Sequence, residues 1–196
     1  MADVNIEGNL RAYLGDRTPT ARYTSFDYCF NYFHSAQEEG RLSELQLSCL
    51  QLGFYLASWG MFRGRAELLQ RSVKTFVPVV EAIASAPEEI WDIDADRYTE
   101  GNITLMLDYA KTLRAPLPDG ASDILVTKVM LGTFGCVPAF DRNFKAGFGV
   151  STFGRGSLRK IGQFYRDHAD VVERHREPTL DFVTGAPTLR RSGVSI

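Results

Sequence analysis

The residues best suited to chemistry lie between Lys128 and Lys160. Asp141 opens a basic segment in which Arg142, Lys145, Arg155, Arg159 and Lys160 follow with no acidic residue up to Lys160. A carboxylate held beside a sugar stabilises an oxocarbenium-like transition state or orients the attacking water, so an aspartate in such surroundings suits cleavage of an N-glycosidic bond. Asp141 and Lys128 are the residues assigned to the reaction, Asp141 as the carboxylate and Lys128 as its electrostatic partner, joined by Arg142. The same aspartate also has a structural reading. An Asp just before a helix accepts hydrogen bonds from free backbone N–H groups and contributes about 1 kcal/mol. One residue can serve both ends.

Substrate contacts are read from two segments. In Leu52–Arg65, Trp59 offers a stacking surface for a base and Arg63 a partner for phosphate or carboxylate; the alternative is a core tryptophan and an ion-paired arginine. Gly53, Gly60 and Gly64 in this stretch would each cost about 1 kcal/mol inside a helix, which predicts close packing or a ligand where the side chain is missing. Further along, Arg142, Lys145, Arg155, Arg159 and Lys160 surround the glycine-rich run 147–156. Free N–H groups, hydroxyls and a following helix N-terminus there suit a phosphate, against the alternative of a solvated basic face. The Gly-Lys-Ser/Thr ending of a nucleotide-binding P-loop is absent.

Composition bounds the function classes. The chain has 196 residues, 44% of them hydrophobic, and a formal net charge of −2. That is enough apolar material for one folded domain, and it excludes the global basic field of many nucleic-acid binders. Any anion site must be local. Cys29, Cys49 and Cys136 are widely spaced in apolar sequence, as for buried reduced thiols. With no apolar core in Met1–Gly15 to make a secretory signal, they point to a cytoplasmic protein. Leu45–Phe62 is an uncharged run of 18 residues, but its Gln and Ser content fits a central buried helix better than a membrane span. His34, His168 and His175 lack the spacing of a zinc helix, and the acids of Asp92–Asp96 lack the rest of a calcium loop. No metal and no cofactor is expected.

Elements that position these residues follow from apolar spacing. Helices are predicted over Ser25–Glu39, Ser43–Met61, Glu67–Ser85 kinked or divided into two pieces at Pro78, Asn102–Arg114, Ser122 to Gly135, Asp141–Phe148 and Ser157–Arg174. Little period-two alternation is present, so the class is all-α, a single compact helical domain over 1–196 with 1–20 and 178–196 as flexible ends.

Within Leu117–Gly149, Leu117-Pro118-Asp119-Gly120 is a turn before an apolar helix, and Val137-Pro138-Ala139-Phe140-Asp141 leads into the basic one. This order resembles the helix-hairpin-helix DNA glycosylase superfamily, where a Leu-Pro-Gly-type hairpin precedes a helix and a Pro-Val-Asp-type turn presents a catalytic aspartate. The resemblance implies that Asp141 is that aspartate. The hairpin lacks the paired glycines that let a backbone approach phosphate, and Asp119 adds negative charge there. Lys128 stands 13 residues before Asp141, closer than the Schiff-base lysine of bifunctional members, with Asp123 nearer to that place. Strand cleavage through a lysine imine is therefore not expected. The stretches Leu52–Gly64 and Val126–Asp141 are also similar to a family of small uncharacterised bacterial proteins, which carries no activity across.

The expected function is a glycosylase-like protein recognising a nucleobase or nucleotide, in DNA or free. A non-catalytic helical binding or assembly protein is the alternative, and a helical nuclease or toxin using Arg166 with His168 or His175 a third. Expected partners are DNA or a nucleotide, with a protein partner or second copy open and no membrane.

Overall fold

The computed structural model describes residues 6–191 except Asp16, Arg65 and Asp119, and of Tyr13 and Arg191 only the backbone. The part of the hairpin reading that falls on Asp119 thus lies outside the described residues. Eight α-helices carry the described chain, joined by short 3-10 turns and followed by one antiparallel pair of strands. The class is all-α, as the spacing predicts.

Local signals explain most boundaries. After α1 (Ile6–Gly15), α2 (Ser25–Glu38) turns Phe26, Cys29, Phe30 and Phe33 inward. The uncharged run forms α3 (Leu45–Ser58), which ends earlier than predicted, with Trp59 at its C-terminus. Pro78 divides its segment rather than kinking it: residues 67–76 make two 3-10 turns and α4 (Val77–Ala84) begins beside Pro78. In the first turn its missing N–H has no intrahelical partner to lose. α5 (Glu100–Arg114) is capped by the Thr99 hydroxyl, which accepts from Asn102 N at 3.2 Å. α6 (Asp123–Phe134) begins at Ser122, whose hydroxyl accepts from Leu125 N. α7 (Arg142–Phe148) and α8 (Arg155–Arg174) complete the set, α8 with non-helical backbone at His168.

The centre of the domain is α6, not the Leu45–Phe62 segment. Every residue from Leu125 to Phe134 is buried, against α2, α3 and α5. By contrast α3 leaves Leu47, Leu50 and Phe54 on its outer face, Phe54 at 69% exposure. Both helices are apolar all round, so periodicity cannot rank them. Where α3 crosses α6, Gly132 faces Tyr55 so closely that a Cβ at Gly132 would lie 2.3 Å from the ring. Gly53 meets Phe76 and Val73 in the same way at 3.3 Å. Gly60 and Gly64 lie beyond the helix, with φ of 82° and 62°, so they cost no helix stability.

The segment beyond Pro178, read as a loose end, pairs as β1 (Pro178–Leu180) with β2 (Pro187–Arg191) and packs on α2. Its anchors are polar. Leu180 N donates to the buried Asp27 carboxylate at 3.0 Å, Asn31 Nδ2 donates to Leu180 O at 3.0 Å, and Thr179 bonds Asn31 and Thr188. Arg17 pairs with Asp27 from the other side. Strands this short have no periodicity to read.

Candidate functional site

Asp141 is positioned by the buried connection between α6 and α7. Residues 135–140 are all buried, although no regular structure satisfies their backbone. Two side chains take that role. Thr127 Oγ1 accepts from Phe140 N at 3.0 Å, and Tyr98 OH donates to Cys136 O at 2.6 Å. The Phe140 ring, fully buried, meets Phe144 and Phe153 with centroids at 5.1 Å. Held in this way, Asp141 accepts Phe144 N through Oδ1 at 3.0 Å and caps α7.

The second carboxylate oxygen of Asp141 faces Lys128. Lys128 Nζ lies 4.0 Å from Oδ2, and its side chain is 8% exposed while that of Asp141 is 34% exposed. The ammonium donates to Trp59 O at 2.6 Å and stands 6.0 Å from the Trp59 ring centre. Burial pulls the Lys128 pKa below its ordinary value; the Asp141 charge opposes this, and Arg22 and Arg63 add to the lowering. Trp59, Lys128, Asp141 and Arg63 therefore share one neighbourhood.

Behind Asp141 opens a cavity of about 730 Å³, lined by Trp59, Leu131, Pro138, Phe144, Phe148 and side chains of α1 and α8. Its walls are mostly apolar and aromatic, with Asp141, Asn9 and Asn143 among the few polar groups. Trp59 Nε1 is buried without a hydrogen-bond partner. A planar apolar ligand suits such a lining. Trp59 itself is ringed by Tyr23, Phe26 and Tyr55 at centroid distances of 5.4, 6.4 and 5.5 Å.

The remaining basic residues divide. Arg142 is exposed and Lys145 half-buried on α7, and neither has an ion pair among the described residues. Arg155 and Arg159 are bound by Glu100: Arg155 NH1 donates at 2.8 Å and Arg159 Nε at 2.6 Å. Those guanidinium groups hold the Glu100 carboxyl down to about 2. Lys160 donates to Phe148 O and Gly149 O at 2.7 and 3.1 Å, closing the end of α7. In the glycine-rich loop, Phe153 N donates to Asp123 and the Ser157 hydroxyl to Thr152 O. These internal contacts take up groups that the sequence offers to phosphate.

No cluster of three or more His, Cys, Asp or Glu suited to a metal occurs among the described residues. Cys29, Cys49 and Cys136 are buried and unpaired, and burial raises all three thiol pKa values. No described helix is long and apolar enough to cross a membrane. Sequence reading did not single out Thr127, Tyr98 or Arg22. A buried Thr in an apolar helix, with a neighbouring segment short of donors' partners, is the one signal that points to Thr127. The molecule is thus a mainly helical domain with an apolar cavity lined in part by Asp141, whose carboxylate also faces Lys128. Comparison with models of protein families, with curated proteins and with solved structures finds no match.

Proposed function

We propose that the protein recognises a nucleobase or nucleotide and hydrolyses its N-glycosidic bond, with Asp141 as the carboxylate. The observation that carries this reading is the division of labour within Asp141. Oδ1 is spent on the α7 cap, while Oδ2 stands beside Lys128 at the edge of an aromatic cavity. A base fits the cavity by size and chemistry, and a carboxylate at its rim is placed for charge developing on the sugar. Lys128 balances that carboxylate; its ammonium is already hydrogen-bonded to Trp59 O. The resemblance to helix-hairpin-helix glycosylases supports the same assignment.

The test separates binding from chemistry. Free base released from nucleotides and from single-stranded and duplex DNA is measured by chromatography for wild type and Asp141→Asn. Asn keeps an acceptor for the cap but removes the charge. Loss of release by at least about 100-fold with binding retained supports the assignment. Release that survives in Asp141→Asn removes Asp141 from the reaction, and no release from any of these substrates favours the non-catalytic binding protein.

A further inference from the structure

A second feature sits on the outer side of Trp59. α3 ends there, and the chain turns through Gly60 in the left-handed region. Arg22 Nε donates to Ser58 O, and Lys128 donates to Trp59 O. These two cations answer carbonyl groups at the helix end, which is an ordinary structural role. Arg63 is different. Its side chain is exposed and makes no hydrogen bond or ion pair with any described residue. Yet it folds back over Gly60: a Cβ there would lie 3.4 Å from Arg63 Nε and 3.5 Å from Arg22 NH2. Two guanidinium groups thus converge on one point, and the residue beneath them has no side chain to fill it. Both stand near Lys128, whose pKa is lowered first by burial and then further by these two charges, and Asp141 is the acid beside it.

Tyr23 completes the patch. Its ring is half-exposed at 50%, lies edge-on to Trp59 and carries the Arg22 guanidinium 5.1 Å from its centre. An exposed ring beside a guanidinium group is an arrangement on which unpaired bases stack while a cation holds the adjoining phosphate.

We propose that Arg22 and Arg63 form a phosphoryl-binding subsite over Gly60, with Tyr23 as the stacking surface beside it. Like-charged side chains that converge with no acid between them gain most from a dianionic or bridging phosphoryl oxygen, which a guanidinium fork binds through two parallel hydrogen bonds. The ligand therefore carries phosphate, either as a free nucleotide or as a strand. This deepens the nucleotide reading and rests on it for the ligand's identity, but the subsite requires no bond cleavage.

Binding of a nucleoside 5′-monophosphate, the same nucleoside without phosphate, and a short single-stranded oligonucleotide is measured by calorimetry at several salt concentrations. Variants are Arg63→Ala, Arg22→Lys and Tyr23→Ala. Arg63→Ala removes no described side-chain hydrogen bond or ion pair, so an unchanged melting curve is expected and its binding result stands by itself. Phosphate is expected to strengthen binding at least tenfold, and Arg63→Ala to remove most of that gain. For the oligonucleotide, Arg63→Ala lowers the salt dependence by about 0.7 in log–log slope, the value of one phosphate contact on a single strand. Preference for the monophosphate identifies a free nucleotide, and preference for the oligonucleotide a strand. Equal affinity for nucleoside and monophosphate, or a phosphate effect untouched by Arg63→Ala, overturns the proposal. Arg63-dependent phosphate binding without base release leaves the subsite standing and removes the hydrolase reading.

Discussion

Replacing Gly132 by alanine tests how α3 and α6 are held together. In a helix interior the substitution ordinarily stabilises by about 1 kcal/mol, because alanine loses less backbone freedom. Here the added carbon would lie 2.3 Å from Tyr55 Cε1 and 2.7 Å from Cδ1 and Cζ. Ordinary carbon contacts are about 3.5–4.0 Å, so the ring must retreat by more than an ångström. It has little room, being fully buried against Trp59 on one side and α6 on the other. Overpacking of this kind costs about 1–3 kcal/mol, and at so short a contact the upper end applies. The helix gain offsets part of it, leaving a net loss of about 2 kcal/mol. Urea unfolding reads this directly: with a slope near 2 kcal/mol/M the midpoint falls by about 1 M. In a Tyr55→Leu background the same substitution should cost far less, and the difference is the coupling between the residues. A neutral or stabilising Gly132→Ala in the wild-type background would refute the close crossing.

Other expected outcomes follow from single groups. Asp141→Ala should lower stability by about 1 kcal/mol through loss of the α7 cap, whereas Asp141→Asn should stay within about 0.5 kcal/mol; equal losses in thermal unfolding would deny the cap its role. Asp141→Asn should also lower the Lys128 pKa further, seen by NMR titration of the ammonium, since the one opposing charge is gone. His34, pressed between Phe30 and Trp91, has its pKa lowered to about 4 by burial, with Arg190 adding to the effect. The unfolded chain therefore takes up this proton near pH 6.5 and the folded one only near 4, so stability is full above 6.5 and falls on acidification across that window, by about 3 kcal/mol. Urea midpoints from pH 7 to 4 should lose this component in His34→Phe, and an unaltered slope would contradict it. The Glu100 carboxyl should titrate near 2 and move back toward 4.5 in Arg159→Ala, as carbon NMR can follow.

How much of this was legible depends on the distance over which each cause acts. Ser122, Asp141 and the apolar face of α2 are local signals, and the helices they define stand close to their predicted bounds. Pro78 was ambiguous because the same ring kinks a helix interior and starts a helix, and only the 3-10 turns before it decide. Asp141 and Lys128 were singled out by residue type and charge, and Asp141 also by the resemblance. Trp59 was assigned to the same site, but the bond from Lys128 to its carbonyl was not legible, because it spans 69 positions. Glu100 was invisible for the same reason, lying 55 and 59 positions from the arginines it binds. The strands near the C-terminus gave no pattern because their order comes from Asp27 and Asn31 on α2.

That last contact bears on how the protein is made. Asp27 takes Arg17 from one side and Leu180 N from the other, and Gly185 packs on Pro19. Early and late parts of the chain thus meet on one buried carboxylate. A nascent chain that has formed α2 through α8 still holds Asp27 without its late donor until the hairpin has left the ribosome. The finished state is reached only once the hairpin has been made and docked, and trimming the hairpin by a protease would return the domain to that unfinished state, with a buried charge half unsatisfied and one face of α2 uncovered.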